Sequence, residues 1–379
     1  MKISDLREKV IQHRVELHKI PELGFCEFKT SEYISSQLKQ IGYEVKQVAK
    51  TGLIAYKEGL EKESIAFRSD IDGLNIQEDT NISYKSEIDG YMHACGHDGH
   101  MAILLGFAEY VYHLSEIKKG ILFIFQPAEE GPGGAELIIK ENVLKDYNIK
   151  NIFGLHIYPE VEQGKVGVRA GAMTAHVGEF DIFIKAKSGH GAIPHKAKDG
   201  LLVAASLINS YQSIISRNIN PIEASVLSIG TIKGGERRNI IAENVSLEGT
   251  IRTFNQEVYE KIKERMITIN KGLMEMFEVK IDVVFRDMYP SIINDNDLYC
   301  VIKESPLKDE LIEIEPMMIS EDFSYYQLEV PGIFFMLGSR NEELGYTNPL
   351  HNARFNFDTE VLMNGIKMYD TICKTLNIY

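Results

Sequence analysis

The stretch Ile121-Leu122-Phe123-Ile124-Phe125-Gln126-Pro127-Ala128-Glu129-Glu130-Gly131-Pro132-Gly133-Gly134 sets an unbroken apolar run against a Gly- and Pro-rich loop with two adjacent carboxylates. A continuous apolar run of this length is the pattern of a strand buried on both faces, as in a parallel sheet covered by helices. The loop then lies beyond the C-terminal end of that strand, the edge where open parallel sheets bind their ligands. Neighbouring side chains on extended backbone face opposite ways. One glutamate can therefore hold a metal while the other faces a substrate as proton carrier. A solvated Glu pair in a flexible loop is the plain alternative.

Outward from this stretch the pattern repeats. Residues 64–68 and 149–155 are further compact apolar runs, and 5–19, 29–41, 99–113 and 134–145 carry helical periodicity. The alternation predicts an α/β fold, a mostly parallel sheet with helices on both faces. The middle of the chain reads differently. Strand-like 177–187, helical 199–217, strand-like 225–233 and 245–254, helical 256–277 and strand-like 279–285 follow one another. That β-α-β-β-α-β order is the ferredoxin-like unit. After residue 288 a buried strand at 332–337 and a helix at 358–376 resume the first pattern. The expected organisation is a catalytic metal-binding domain of 1–175 and 288–379, with an inserted α+β domain of 176–287 as a lid or dimerisation domain. The sheet edge of the insert offers a surface on which two copies could pair into a homodimer.

The chain has 379 residues, 44% of them apolar, and a net charge of -14. Acidic residues spread along the whole length exclude nucleic acid and anionic membrane as main partners, since both need a basic face. The first ten residues, MKISDLREKV, hold no apolar core of a signal peptide, and no apolar run is long enough to span a bilayer. The four cysteines are scattered and form no CxxC pair. Together these features predict a cytoplasmic setting without a disulfide framework.

The densest chemistry is His93-Ala94-Cys95-Gly96-His97-Asp98-Gly99-His100, which holds three of the 11 histidines and one of the four cysteines. On extended backbone His93, Cys95 and His97 would point to one side, with Asp98 as N-cap of the following helix. Thiolate with imidazole suits zinc or another borderline transition metal rather than magnesium or calcium. A polar loop with accidental histidines is the alternative. Asp70 and Asp72, at the end of the 64–68 run, could fix the orientation of a metal-bound histidine. His156 and His351 follow the apolar runs 152–155 and 332–338. Cys95, His97, Glu129, Glu130, His156 and His351 thus all lie beyond strands of one expected sheet. Gathered there, they could hold two metal ions about 3.5–4 Å apart, an arrangement that polarises an amide carbonyl and acidifies water.

At these residues the chain resembles the aminoacylase/carboxypeptidase family of dinuclear-metal hydrolases. It is most similar to the subgroup of hippurate hydrolases, N-acetyldiaminopimelate deacetylases and plant auxin-conjugate amidohydrolases. The resemblance runs from HKIPELG at 18–24 through MHACGHDGH, QPAEEGPGGAE, SGHGAIPH, LEGTIRT and SEDF. It implies the dinuclear-metal exopeptidase type of fold. It implies that Cys95, His97, Glu130, His156 and His351 bind two divalent ions (Zn, Mn, Co or Ni), with Cys95 as bridge. Glu129 becomes the general base and Asp72 the supporting carboxylate. Where the wider family has a metal-binding histidine two positions before that aspartate, this chain has Asp70, as the subgroup does. His190 matches a histidine that stabilises the oxyanion, and Asn239 and Arg252 match positions that bind the substrate carboxylate. The implied activity is hydrolysis of the amide of an N-acyl amino acid. QPAEEGPGGAE, SRN-x-x-P and NIIAE look most like N-acetyldiaminopimelate deacetylases of lysine biosynthesis. A broad hippurate hydrolase-like aminoacylase, a dipeptidase or carboxypeptidase, and a metal-binding protein without turnover are the other readings. Glu321 and Asp322 carry no assigned role.

Overall fold

Every residue of the strands Ser64–Asp70 and Gly120–Gln126 is buried. Side chains alternate across a strand, so both faces of the sheet are covered at this point. Ile121, Phe123 and Phe125 join one core cluster with Ile103, Leu104 and Phe107 of the helix His97–Tyr112 and Ile366 of the helix Glu360–Thr375. Leu122 and Ile124 face the other way and are equally excluded from water. Phe67 anchors the first side, with ring centroids 4.9 Å from Phe107 and 4.6 Å from Tyr369. Truncating a ring packed this way typically costs about 3–5 kcal/mol.

The computed structural model describes residues 1–379. Contacts divide them into one unit of 1–171, 293–315 and 322–379 and another of 172–292 and 316–321. The first unit carries an eight-stranded sheet in the order Val45–Val48, Gly52–Lys57, Gly120–Gln126, Ser64–Asp70, Ile149–Glu162, Gly332–Arg340, Val166–Val168, Leu311–Glu313. The four central strands run parallel. Antiparallel pairings join Val45–Val48 to Gly52–Lys57, Gly52–Lys57 to Gly120–Gln126, and Gly332–Arg340 to Val166–Val168.

The second unit carries a four-stranded antiparallel sheet in the order Ser225–Gly234, Asn244–Thr253, His176–Lys185, Lys280–Asp287. With the helices Gly200–Ser213 and Gln256–Phe277 it has the βαββαβ order. Phe180, Ile182 and Ile184 pack on Val203, Leu207, Tyr211, Ile262 and Met266, while Glu179, Phe183 and Lys185 face water. One dry and one wet face is what an antiparallel sheet tolerates. Both helices start at a side-chain cap. Asp199 accepts from the Leu201 N–H at 3.0 Å and Asn255 from the Glu257 N–H at 2.8 Å, the usual satisfaction of a first-turn N–H.

The local readings depart from the structure where tertiary contacts outweigh periodicity. The expected helix 134–145 is two short helices, Ala135–Lys140 and Val143–Asp146, broken where Asn142 turns left-handed at φ 59°. The helix expected to run to 217 ends at Ser213 and continues as a π turn, Ile214–Asn218. The strand expected over 149–155 extends through Ile149–Glu162, so His156 sits inside it rather than after it. The segment 316–321 groups with the second unit, and no pattern in the sequence announces it.

Candidate active site

The chain leaves the strands Ser64–Asp70 and Gly120–Gln126 at the same edge, and the side chains expected to meet there do meet. Sγ of Cys95 lies 3.3 Å from Nε2 of His156 and 3.3 Å from Nε2 of His351. Nε2 of His351 is 3.0 Å from Oε1 of Glu130. Cys95, His97 and His156 offer ligand atoms within 4.8 Å of one another, and so do Cys95, Glu130 and His351, and His97, Glu129 and Glu130. Two of these triples share Cys95, and two share His97.

His97 opens the helix His97–Tyr112, and Gly96 before it takes φ 88°, a left-handed turn that glycine enters freely. This corrects the extended reading of 93–97. His93 belongs to none of the ligand groups and faces His18 instead, ring centroids 6.4 Å apart. Asp98 is not the N-cap. It lies in the first turn, and its carboxylate accepts from Arg14 Nε at 3.2 Å and pairs with His18 Nδ1 at 2.9 Å.

The histidines fit metal ligation by their hydrogen bonds. Nδ1 of His97 meets the backbone carbonyl of Asp72 at 2.9 Å, and Nδ1 of His156 meets the carbonyl of Ile157 at 2.8 Å. A carbonyl accepts only, so each ring carries its proton on Nδ1 and presents the Nε2 lone pair to the cluster. Nε2 of His97 is buried and has no hydrogen-bond partner in the protein. With Zn–S near 2.3 Å and Zn–N near 2.0–2.1 Å, neighbouring ligand atoms on one tetrahedral ion lie about 3.5 Å apart, close to the cysteine–histidine separations here.

The electrostatics point the same way. Burial lowers the His97 pKa, but the charges of Asp70, Asp72 and Glu130 outweigh it and hold it up to about 10, so without a cation the ring carries a second proton on Nε2, which a bound metal would displace. Burial takes His156 down to about 3, so its ring is neutral. Burial and then Glu130 and Glu129 raise the Cys95 thiol well above its usual value, so a thiolate here needs a cation beside it. The pocket has the field of a cation binder.

Asp72 supports the cluster through both its carbonyl and its carboxylate. Its carbonyl holds His97, its Oδ1 is 3.4 Å from the same nitrogen, and its Oδ2 accepts the Glu130 N–H at 3.0 Å. Asp70 already pairs with Arg68 Nη1 at 2.7 Å and accepts from His100 Nδ1 at 2.7 Å. His100 spends its Nε2 on the Ile157 N–H at 2.8 Å. Asp70 and His100 are therefore committed to these bonds, and of the triple Asp70, His97 and His100 only His97 keeps an open ligand atom.

Sequence reading missed the residues that hold the carboxylate loop. Asp322, fully buried, accepts from Arg68 Nη2 at 2.9 Å, Gln126 Nε2 at 2.8 Å, and the N–H groups of Gly134 and Ala135 at 3.0 Å each. The SEDF motif marked the position without revealing its partners. Arg68 was the readable signal: a charge inside an apolar strand must be paired.

In the second unit, the strand Gly189–His190 pairs with Ile240–Ile241, and Gly191 donates to the Asn239 carbonyl at 2.9 Å. His190 and Asn239 are thus brought together. Nδ1 of His190 accepts the Ala192 N–H at 3.1 Å, which leaves the ring proton on Nε2 as an exposed donor. Arg252 stands on a different sheet, in Asn244–Thr253, half-buried, with Nη1 donating to Thr250 Oγ1 at 2.7 Å.

The sequence profile of Peptidase family M20/M25/M40 matches residues 66–375. N-acetyldiaminopimelate deacetylase of Bacillus subtilis (strain 168) is 40% identical over 365 residues, covering 95% of this chain and 96% of that protein. The enzyme of that name from Geobacillus sp. (strain WCH70) is 40% identical over 361 residues, 93% of this chain and 94% of its own length. Among solved structures, YXEP of Bacillus subtilis, described as a dinuclear metal binding peptidase from the M20 family, superposes with a TM-score of 0.85 at 31% identity, over 99% of this chain and 100% of its own. A chain from methicillin-resistant Staphylococcus aureus superposes with a TM-score of 0.93 at 31% identity, over 100% of this chain and 98% of its own.

Proposed function

The chain belongs to Peptidase family M20/M25/M40, and from that premise we propose that it is a metal-dependent deacetylase of N-acetyl amino acids, with N-acetyldiaminopimelate, an intermediate of lysine biosynthesis, as substrate. The observation that carries the chemistry is the meeting of Cys95 with His156 and His351, each at 3.3 Å. The substrate is supported by the relatives, 40% identical over 95% of the chain.

Cys95, His97, Glu130, His156 and His351 would hold two divalent ions, with the shared Cys95 between the two ligand groups. A mixed sulfur, nitrogen and oxygen set accommodates zinc, manganese, cobalt or nickel. When bound, such ions supply Lewis acidity, polarising a carbonyl and bringing the pKa of water toward neutrality. The protein's own groups do the rest. Glu129, buried beside His97 and Glu130, takes a proton from the attacking water on its carboxylate and delivers it to the departing amine nitrogen. Asp72 keeps His97 turned and the Glu130 backbone fixed.

In the second unit we assign His190 the role of donor to the oxyanion, supported by its Nε2–H tautomer. Asn239 and Arg252 are assigned to the substrate carboxylate, for which a guanidinium offers two parallel donors. No helix is long and apolar enough to cross a membrane. Four free cysteines support a reducing, cytoplasmic setting. The exposed edge strand Ser225–Gly234 is the candidate surface for a homodimer.

The test is a substrate panel on protein reconstituted with each of the four metals. N-acetyldiaminopimelate, other N-acetyl amino acids, hippurate and dipeptides are compared by kcat/KM. N-acetyldiaminopimelate should lead by at least tenfold. A preference for dipeptides, or no turnover with any metal, would overturn the reading.

A further inference from the structure

Ala128 takes a conformation that L residues avoid. Its φ is 56°, in the left-handed region where Cβ crowds the neighbouring carbonyl, and the next residue is Glu129. Such backbone persists only where its surroundings over-determine it. The Ala128 carbonyl accepts the Gly133 N–H at 2.9 Å. The Ala128 N–H donates to Oε1 of Glu27 at 2.9 Å.

Glu27 lies at the start of the helix Phe28–Ile41 but caps none of that helix's N–H groups. It is fully buried, and a buried carboxylate is costly unless its oxygens are satisfied. Its second oxygen accepts from Thr51 Oγ1 at 2.6 Å. Both oxygens are therefore spent away from its own helix, one of them on the carboxylate loop. Gly24 shows how closely this segment seats against the loop. A Cβ there would come within 2.5 Å of the Gly131 carbonyl oxygen and 2.8 Å of the Ala128 methyl.

We infer that Glu27 is a positioning residue: by holding the Ala128 N–H it fixes the left-handed turn that aims Glu129 into the site. The inference rests on Glu129 being the proton carrier proposed above. Glu27 acts through the loop backbone, so what it sets is the aim of the base and not the grip on substrate.

The test compares Glu27→Ala, Glu27→Gln and the double variant Glu27→Ala with Ala128→Gly, all as metal-loaded full chains. Glu27→Ala should lower kcat by ~10–100-fold, the scale expected for a displacement near 1 Å, with KM and bound metal within about twofold of wild type. Glu27→Gln keeps an acceptor and should stay within about threefold of wild-type kcat. Glycine adopts the left-handed turn without strain, so the double variant should recover part of the loss, roughly fivefold or more.

Hydrogen exchange in peptides spanning 127–134 supplies a readout that does not need turnover. Exchange there should rise by roughly tenfold in Glu27→Ala and stay low in Glu27→Gln. Should Glu27→Ala fail to fold, Glu27→Met fills the same space without an acceptor and takes its place. Unchanged exchange, unchanged kcat, or an equal fall in Glu27→Gln would each overturn the assignment. A wild type inert on every acyl amino acid would sink the hydrolytic reading, while exchange would still decide whether Glu27 holds the turn.

Discussion

Nε2 of His351 lies 3.3 Å from Sγ of Cys95 across 256 positions of chain, and the contact is set beside a main-chain bond, His351 N–H to the Ala94 carbonyl at 2.9 Å. The two loops are therefore docked by backbone, and the thiol is left to other work. Cys95→Ser should keep the fold and lose metal. Outer-sphere changes typically cost ~10–100-fold in metal affinity, and loss of a shared ligand should cost at least the upper end of that range. Competition with a chelator, followed by metal analysis, measures it. Wild-type affinity in Cys95→Ser would remove the thiol from the centre.

Glu129→Gln separates binding from chemistry. The amide keeps size and polarity but cannot carry the proton. Bound metal should stay at the wild-type ratio while kcat falls by ~10²–10⁴-fold, since the proposed mechanism gives one group both proton transfers. Full activity in this variant would place the base elsewhere.

Asp322→Asn should be nearly as harmful as Asp322→Ala, although asparagine has the same shape. Four groups donate to the two oxygens of Asp322, so an amide NH₂ in either orientation meets another donor. It also strips the buried Arg68 of a carboxylate partner. Removing one side of a buried charge pair costs about 3–5 kcal/mol. Thermal unfolding of both variants checks this; an Asp322→Asn midpoint close to wild type would show that the second oxygen is dispensable.

Arg252→Ala probes the assignment in the second unit. A group that grips the substrate carboxylate equally in ground and transition states affects KM and leaves kcat alone. KM for N-acetyl amino acids should rise by ~10–100-fold, the worth of a charge-assisted pair of roughly 1.5–3 kcal/mol. Substrates with an amidated carboxylate should lose the discrimination between wild type and variant. An equal loss on both substrates would make Arg252 structural.

What the sequence disclosed followed from the range of each interaction. The strand Gly120–Gln126 was legible because burial on both faces leaves apolar residues along nearly all of it, and Ser64–Asp70 only through its short apolar centre, Ile65 to Phe67. Cys95 was legible from the density of ligand-type residues around it, and Glu130, His156 and His351 because each lies at or beyond a recognisable strand. A two-residue alternation misplaces His93, because the helix His97–Tyr112 begins within the same stretch. Asp98 looked like a cap because its true partners, Arg14 and His18, are 84 and 80 positions away. Glu27 and Asp322 gave no local sign of their roles, since their partners on the carboxylate loop lie 101 and up to 188 positions off. Periodicity reports which face is buried and is silent on which side chain meets which.

The same buried pair, His18 and Asp98, predicts how stability changes with pH. Burial lowers the His18 pKa, but the charge and hydrogen bond of Asp98, with help from Glu78, outweigh it and raise it to about 9, against an ordinary value of 6.5. Between those two values the folded protein holds a proton on His18 that the unfolded chain has released. Stability therefore falls as pH rises through this window. The contribution is complete below about pH 6.5 and gone above about pH 9, and it is of the order of a few kcal/mol. Asp98 itself is held below its ordinary value: burial raises its pKa, but His18 and Arg14 outweigh that, so its contribution is lost only on acidification. The check is the denaturant midpoint of wild type and His18→Gln at pH 6.5 and 9.5, with metal loading fixed. Wild type should lose stability between the two values, and His18→Gln, which cannot hold the proton, should lose much less. Equal slopes in the two proteins would show that His18 is neutral in the folded state and that Arg14 alone balances Asp98.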